Sequence, residues 1–256
     1  MKEKLAAFER LLKIMDDLRV QCPWDKKQTL ESLRYLTIEE TYELSDAILE
    51  QDMDGIRKEL GDLMLHLVFY SKIGSETGHF DIKDVLDGIS EKLTERHPHI
   101  YGDVEVTTAE DVKNNWEKIK LREKGRKSVL GGVPNSLPSM VKAYRMQEKA
   151  RGVGFDWENE EEVWDKVQEE IEELKVEVES GDAVKKEHEF GDLLFSLINY
   201  ARFINVNPED ALERTNKRFA KRFQYIEEQA RKNGRPLKDM EFEEMDAFWN
   251  DAKMNE

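Results

Sequence analysis

The sequence is poor in residues that cross-link or interrupt a chain: among 256 residues it has one cysteine, six prolines and 14 glycines. Because Cys22 stands alone, an intrachain disulfide and a cysteine metal site are excluded. The scarcity of helix-breaking residues favours long helices. No apolar run has the length of a membrane span, and the amino-terminal segment is an amphipathic helix containing acids rather than a signal peptide. We therefore predict a cytoplasmic protein that does not bind membranes.

Basic residues are also in deficit, since the formal net charge is −16 at pH 7. Polyanions bind basic surfaces, so the sequence argues against a nucleic-acid polymer as a partner. A small anionic substrate requires a metal ion or a local basic cluster. Hydrophobic residues make up 39% and charged residues 38%, which is typical of a modest core beneath a strongly solvated surface.

Helical periodicity dominates the sequence, which predicts an all-α fold. Apolar residues follow helical spacing from Leu5 to Leu18 and from Ile82 to Leu93, with Asp81 placed as an N-cap and Pro98 as a stop. Asn207 followed by Pro208 predicts a further helix start. The only candidate for an alternating strand is DVEVTT, residues 103–108.

The two halves of the sequence resemble each other, on either side of a predicted linker at 124–139 that is rich in glycine and proline. EETYEL at 39–44 matches EEIEEL at 169–174, and ELGDLML at 59–65 matches EFGDLLF at 189–195. Both matches share an offset of 130 residues. We predict a duplicated helical module, with one copy at 1–123 and the other at 140–256.

Each half carries a group of carboxylates that helical spacing places on facing sides of a helix hairpin. We predict that they converge on a hard cation, most simply Mg²⁺, because the ligands are all oxygen. Asp62 and Asp192 lie inside apolar runs, so we expect them to be more desolvated than Glu170. Two alternatives are solvated glutamate faces and buried salt bridges for the aspartates. The predicted ligands are Glu40, Glu43, Glu59 and Asp62 in the first half and Glu170, Glu173, Glu189 and Asp192 in the second.

Basic and aromatic residues recur downstream of each acidic group. Acids for Mg²⁺, cations for phosphate and an aromatic ring for stacking describe a nucleoside polyphosphate site. The alternatives are that these arginines are surface residues and that these tryptophans anchor the core. The candidates are Lys92, Arg96, Trp116 and Lys120 in the first half and Arg218, Arg222 and Trp249 in the second.

The sequence resembles the MazG family of nucleoside triphosphate pyrophosphohydrolases along nearly its whole length. Besides the repeated acidic motifs, the resemblance rests on CPWDKKQT (22–29), KLTERHPHIYGD (92–103), WEKIK (116–120), SLPSMVKA (136–143), VGFDW (153–157) and NKRFAKRF (216–223). It implies two tandem four-helix-type modules and a homodimer. It also implies hydrolysis of a nucleoside triphosphate to the monophosphate and pyrophosphate with Mg²⁺, or Mn²⁺ as an alternative ion.

The resemblance also assigns residues. The family's metal ligands fall on the eight carboxylates named above, and Glu39 and Glu169 match the acid that precedes them. Either could act as general base or only support the ligands. Phosphate or nucleotide contacts in the second copy fall on Lys185, Arg218, Arg222 and Trp249, with Arg218 standing where the family commonly has lysine. Both copies keep the full acidic set, so the pattern does not choose an active half.

Two other classes of protein are alternatives to a nucleoside triphosphate pyrophosphohydrolase. A di-iron carboxylate bundle requires Glu-x-x-His twice, and the sequence has it once, at Glu76 and His79. The other rival is a non-catalytic interaction protein with acidic helices, which predicts neither Mg²⁺-dependent stabilisation nor nucleotide turnover. A phosphate-binding P-loop is excluded because its glycine-lysine motif is missing.

Overall fold

The structure is a computed structural model that describes residues 1–108, 111–112, 115–116, 119 and 128–255. Over these residues the regular secondary structure is helical, which confirms the all-α prediction, and 103–108 forms no strand. The α-helices are numbered here in chain order: α1 (Lys2–Gln21), α2 (Leu30–Leu49), α3 (Met53–Glu76), α4 (Ile82–Arg96), α5 (Pro98–Tyr101), α6 (Ser139–Arg151), α7 (Glu160–Ser180), α8 (Ala183–Phe203), α9 (Pro208–Lys232) and α10 (Phe242–Met254).

The chain divides into two compact units, Met1–Val112 and Lys113–Glu256. The predicted modules at 1–123 and 140–256 stay a prediction. Much of the stretch between 109 and 127 lies outside the described residues, so the boundaries of the predicted linker at 124–139 stay a prediction. Its described part carries one 3-10 turn, Leu130–Gly132, which packs on α6.

In the first unit, α2 and α3 form a closely packed hairpin. Asp52 caps α3 by accepting a hydrogen bond from the Asp54 backbone N–H, and Gln51 turns the chain with φ 58°. Helix α1 lies against this hairpin. Their apolar faces make one core, formed by Met15, Leu33, Val68, Phe69 and Ile73.

The second unit repeats this arrangement with α7 and α8, whose turn uses Gly181 at φ 76° and Asp182 as N-cap. Val163 and Val167 of α7 and Ile198 of α8 are buried. Helix α9 packs mainly against α10. In both units, therefore, the hairpin that carries the acidic motifs is the best-packed pair of helices.

The predicted helix starts are confirmed. Asp81 caps α4 by accepting hydrogen bonds from the Lys83 and Asp84 backbone N–H groups, and Asn207 caps α9 directly before Pro208. The residues that begin these helices were therefore readable from the sequence. Among the described residues, no helix is both long and apolar enough to cross a membrane.

Candidate functional site

The hairpin of the first unit brings three of its predicted ligands together. Glu40 and Glu43 of α2 and Glu59 of α3 each offer an oxygen within 4.8 Å of the others. Glu59 is only 6% exposed, and within the described residues its Oε2 atom is buried without a hydrogen-bond partner. Its Oε1 atom accepts a hydrogen bond of 3.1 Å from Lys58 Nζ. One oxygen of a buried carboxylate is thus left unsatisfied beside two further acids.

Crowding of negative charge is visible in the pKa values of this group. Burial raises the pKa of Glu40, and the charges of Asp62, Glu43 and Glu59 raise it further. Conversely, the hydrogen bond to Glu59 raises the pKa of the Lys58 ammonium. The ionised form of Glu40 is therefore disfavoured, and a nearby cation would favour it.

Asp62 and Asp192 do not have the burial that their apolar runs suggested. Asp62 is half-buried and Asp192 is exposed, whereas Glu59 and Glu170 are buried. The expectation that these aspartates are more desolvated than Glu170 is wrong. Asp192 instead lines an open pocket together with residues of α7. Neither belongs to the groups of three, although the charge of Asp62 acts on Glu40.

The second unit forms the equivalent cluster. Glu170 and Glu173 of α7 and Glu189 of α8 each offer an oxygen within 4.8 Å of the others. Burial and the charge of Glu170 raise the pKa of Glu173. An open pocket lies beside this cluster; its lining comprises Trp157, Val163, Lys166, Glu170, Asp192, Phe195, Ser196 and Asn199.

Lys166 distinguishes the second cluster from the first. Its Nζ atom lies 2.9 Å from Glu169 Oε1 and 2.8 Å from Glu170 Oε1. These two hydrogen bonds raise the pKa of Lys166 well above its ordinary range. The buried carboxylate of Glu170 therefore has an internal cation from its own helix. In the first unit the cation is Lys58, whose side chain is 69% exposed.

Sequence reasoning missed Lys166, although its spacing to Glu169 and Glu170 is the three- and four-residue pattern of helical ion pairs. Trp157 and Asn199 were also missed as pocket residues. No local pattern marks them, because the pocket joins the loop before α7 to residues of α7 and α8.

The two acids that precede the ligands lie beside the clusters. Glu39 is exposed on α2, and its charge adds a small upward contribution to the pKa of Glu40. Glu169 is exposed and bound to Lys166. Both predicted roles of Glu39 and Glu169, as general base or as support of the ligands, stay predictions.

The predicted cations and aromatic residue of the first unit differ in their exposure. Lys92 is exposed on α4, while Arg96 and Trp116 are half-buried. Lys120 lies outside the described residues. Their predicted contacts with nucleotide therefore stay predictions.

In the second unit, the predicted cations have different partners. Arg222 lies over the Trp249 ring at 5.3 Å, and Trp249 contacts Phe219 at a ring distance of 5.2 Å. Arg218 donates a hydrogen bond of 2.9 Å to Thr215, and Lys185 lies 3.8 Å from Glu177. Arg222 lines a different pocket from Glu170.

Glu76 and His79, the two residues that match the di-iron motif, have other hydrogen-bond partners. Glu76 accepts hydrogen bonds from Arg19, which lower its pKa, and His79 pairs with Thr77 at 2.9 Å. Among the described residues, the acidic groups contain no histidine. A carboxylate-only set favours hard divalent cations over the iron of such bundles.

Comparison with known proteins agrees with this arrangement. Residues 28–101 match the family model described as the MazG nucleotide pyrophosphohydrolase domain. The chain is 45% identical over 257 aligned positions to the nucleoside triphosphate pyrophosphohydrolase/pyrophosphatase MazG of Thermotoga maritima, with 99% of this chain and 98% of that protein covered. The chain belongs to the MazG family.

A second MazG relative supports the assignment. The nucleoside triphosphate pyrophosphohydrolase of Escherichia coli strain K12 is 40% identical, with 97% of this chain and 98% of that protein covered. A crystal structure of a mazG-related protein from Thermotoga maritima matches 44% of this chain at a TM-score of 0.39 and 24% identity, a likeness too low to bear on the site. Membership therefore rests on the full-length sequence matches.

Proposed function

We propose that this chain is an Mg²⁺-dependent nucleoside triphosphate pyrophosphohydrolase that acts at the two carboxylate clusters and works as a homodimer. The names of its full-length relatives support the activity. Its own residues support a metal-dependent site, because each unit gathers three glutamates that could hold one ion. The eight common ribo- and deoxyribonucleoside triphosphates are the candidate substrates.

The observation that carries this proposal is the unsatisfied Oε2 atom of Glu59. A buried carboxylate oxygen without a partner costs free energy, about 1–3 kcal/mol or more when it is charged. A cation held between Glu59, Glu40 and Glu43 would remove this cost and the mutual repulsion of the three acids. An all-oxygen donor set without cysteine or histidine fits Mg²⁺, with Mn²⁺ as an alternative.

The bound cation would draw charge from the phosphate oxygens and the leaving pyrophosphate. The chain's own residues would do the remaining work. The clustered glutamates would hold the cation on the hairpin, and Lys166 would offer an ammonium at the edge of the second cluster. Glu39 or Glu169 would accept the proton of the attacking water or, in the alternative, only support the ligands.

The reaction balances with water as the sole co-substrate. The water oxygen forms a bond to phosphorus, the bridging bond between the α- and β-phosphates breaks, and one proton passes to a carboxylate and then to solvent. Pyrophosphate and a nucleoside monophosphate leave. Arginine or lysine side chains at the phosphates would stabilise the charge on the oxygens during this step.

Product analysis tests the proposal directly. Each triphosphate is incubated with the protein and Mg²⁺, or with a chelator, and the phosphorus NMR spectrum is recorded. We expect monophosphate and pyrophosphate with Mg²⁺ and unchanged substrate with the chelator. Nucleoside diphosphate and orthophosphate would contradict the assigned bond cleavage.

The same assay separates the enzyme from a non-catalytic acidic binding protein. Glu173→Gln removes a carboxylate from the second cluster, whereas Glu172→Gln changes its exposed neighbour, which pairs with Lys175 at 2.7 Å. In a chain whose first cluster is silenced by Glu59→Gln, only the Glu173 change should lower product formation. A wild-type protein that converts none of the eight triphosphates would favour the binding protein.

A further inference from the structure

The pocket beside the second cluster extends along α8 away from the carboxylates. Glu170 and Asp192 border it at the cluster, and Asn199 borders it two helical turns beyond Asp192, about 10 Å further along the helix. The cavity has a volume of about 180 Å³. Pockets that enclose a whole drug-sized ligand have roughly 300–1,000 Å³. This cavity therefore has room for one planar ring of a nucleotide whose phosphates lie at the carboxylates.

Aromatic rings form part of the lining of this cavity. Trp157 and Phe195 border it, yet they are 45% and 44% exposed, whereas Val163 beside them is buried. Exposed aromatic rings stack well on nucleobases, because every base has a π-face. The cavity therefore suits a nucleobase.

The side-chain amide of Asn199 is held in one direction. Arg202 donates to its Oδ1 atom from Nε at 3.2 Å and from Nη2 at 2.9 Å. A guanidinium carries only donors, so the amide atom that faces it must be the oxygen. Arg202 is buried and is itself held by Asp156. Among the described residues, no atom accepts from Asn199 Nδ2, which leaves this NH₂ group as the donor that Asn199 offers to the pocket.

Ser196 supplies an acceptor beside this donor. It lies three residues before Asn199, on the same face of α8, and borders the same pocket. Its hydroxyl donates to the Leu193 carbonyl oxygen at 3.0 Å, so its proton is engaged and Oγ can act toward the pocket only as an acceptor. An adjacent acceptor and donor match the lactam edge of a base, which is a ring N–H next to a carbonyl group.

We propose that the second unit selects triphosphates whose base has a lactam edge. Asn199 Nδ2 donates to the base carbonyl oxygen, Ser196 Oγ accepts from the neighbouring ring N–H, and Trp157 stacks on the base. This inference rests on the proposed function, because it names the substrate class of the same site. Guanine, hypoxanthine, uracil and thymine have this edge, whereas adenine and cytosine present an amino group there. Since Arg202 holds Oδ1, the Asn199 amide cannot turn to accept from an amino group.

The first unit does not repeat this pair of side chains. At the offset of 130 residues, His66 stands in place of Ser196 and Phe69 in place of Asn199. Phe69 belongs to the buried core and has no hydrogen-bonding group. Selection of the base by this pair therefore belongs to the second unit.

Substrates that differ only at this edge test the inference. Inosine and adenosine triphosphates form one such pair, and uridine and cytidine triphosphates form another. The kcat/KM for pyrophosphate release with Mg²⁺ is measured in Glu59→Gln protein, whose first unit is silenced. We expect the base with the lactam edge to be favoured by about 10-fold or more in each pair.

Two variants connect this preference to the named side chains. Asn199→Asp keeps an oxygen for Arg202 but replaces the donor by an acceptor, so it should abolish or reverse the preference. Ser196→Ala removes the acceptor without adding charge and should lower the preference by about 2- to 10-fold. The control is Asn233→Asp at the exposed end of α9, which should leave the ratios unchanged. Circular dichroism checks that each variant folds.

Binding of the monophosphates gives a readout that needs no turnover. The dissociation constants of inosine and adenosine monophosphates are measured by calorimetry for the same proteins. Inosine monophosphate should bind more tightly, and Asn199→Asp should remove the difference.

The outcomes separate this inference from the proposed function. Equal kcat/KM within both pairs, a preference for the amino bases, or a preference that survives Asn199→Asp would overturn the inference, while pyrophosphate release upholds the activity. An inactive Glu59→Gln protein beside an active wild type would also overturn it. A wild type that releases no pyrophosphate would reject the proposed function, whereas tighter binding of inosine monophosphate that is lost in Asn199→Asp would still support the base pocket.

Discussion

Asp156 and Arg202, 46 residues apart, form a two-pronged ion pair in which both terminal nitrogens of the guanidinium donate to the carboxylate. The Arg202 side chain is only 6% exposed. This pair fixes the loop before α7 to the end of α8. Trp157 follows Asp156 directly and borders the acidic pocket, so the pair also sets the wall of that pocket.

Arg202→Met should destabilise the protein by about 3–5 kcal/mol, because it leaves a partly buried Asp156 without its main cation. Urea denaturation measures the change. The control is Arg235→Met, whose partner Glu244 is 45% exposed, and it should cost less than about 1 kcal/mol. Similar losses for the two variants would contradict the structural role given to Arg202.

Lys166→Met should destabilise the metal-free protein by about 1–3 kcal/mol, because it leaves the buried Glu170 carboxylate without its ammonium partner. Lys175→Met on the same helix is the matched control, since its pair with Glu172 is exposed. Denaturation with and without Mg²⁺ measures both. An equal effect of the two substitutions would show that Lys166 does not neutralise the cluster.

The stability contribution of Glu40 should depend on pH. The pKa of Glu40 is raised above 4.5, so the folded state favours the protonated acid. As the pH rises from 4.5 through the raised pKa, Glu40 ionises and the fold loses stability. Without metal, Glu40→Gln should therefore stabilise the protein at pH 7 and do so much less at pH 4.

Glu31→Gln provides a control of opposite sign. Hydrogen bonds from its own backbone N–H and from Thr29 lower the pKa of Glu31, so its ionised form stabilises the fold at neutral pH. The Glu31 change should slightly destabilise the protein at pH 7.

With Mg²⁺ present, the benefit of Glu40→Gln should disappear, because the wild type gains a ligand. If Glu40→Gln stabilised the protein equally at pH 7 and pH 4, and equally with and without Mg²⁺, repulsion among the carboxylates of the cluster would be refuted.

His66 should make the fold sensitive to mild acid. Burial lowers its pKa below 6.5, and the charge of Asp62 offsets only part of this effect. Because the folded state favours the neutral imidazole, His66 stabilises the fold above pH 6.5. This stabilisation is lost as the pH falls through the lowered pKa, with a slope of at most about 1.4 kcal/mol per pH unit.

Replacing His66 by phenylalanine should remove this part of the acid sensitivity, whereas replacing the exposed His79 should not. Chemical denaturation at several pH values between about 7 and 5 measures the slopes. Parallel loss of stability in wild type and His66→Phe would mean that other groups cause the acid sensitivity.

The sequence predicted the hairpins and their glutamates well, because these depend on local rules. Asp81 and Asn207 are helix caps that any sequence reading can find, and the spacing of Glu40 to Glu43 puts both on one helix face. The match between the motifs around Glu59 and Glu189 identified the second helix of each hairpin. These residues define the clusters observed in both units.

The remaining features depend on tertiary packing, which spacing does not encode. The burial of Asp192 was misjudged because an apolar run around it does not show which side another helix covers. The separation of Arg222 from Glu170 could not be foreseen, because the motifs give no path for α9. Trp157 lines the pocket next to Asp156, whose partner Arg202 lies 46 residues further along the sequence.

The most direct test of the account compares two buried glutamates. Glu59 and Glu170 are each 6% exposed and belong to equivalent clusters. Pyrophosphate release with Mg²⁺ is measured for wild type, Glu59→Gln, Glu170→Gln and the double variant, with Glu172→Gln as control. Each single change should remove the activity of its own unit, and the double change should lower the rate at least about 100-fold. A folded double variant that keeps the wild-type rate would show that the carboxylate clusters are not the catalytic metal sites.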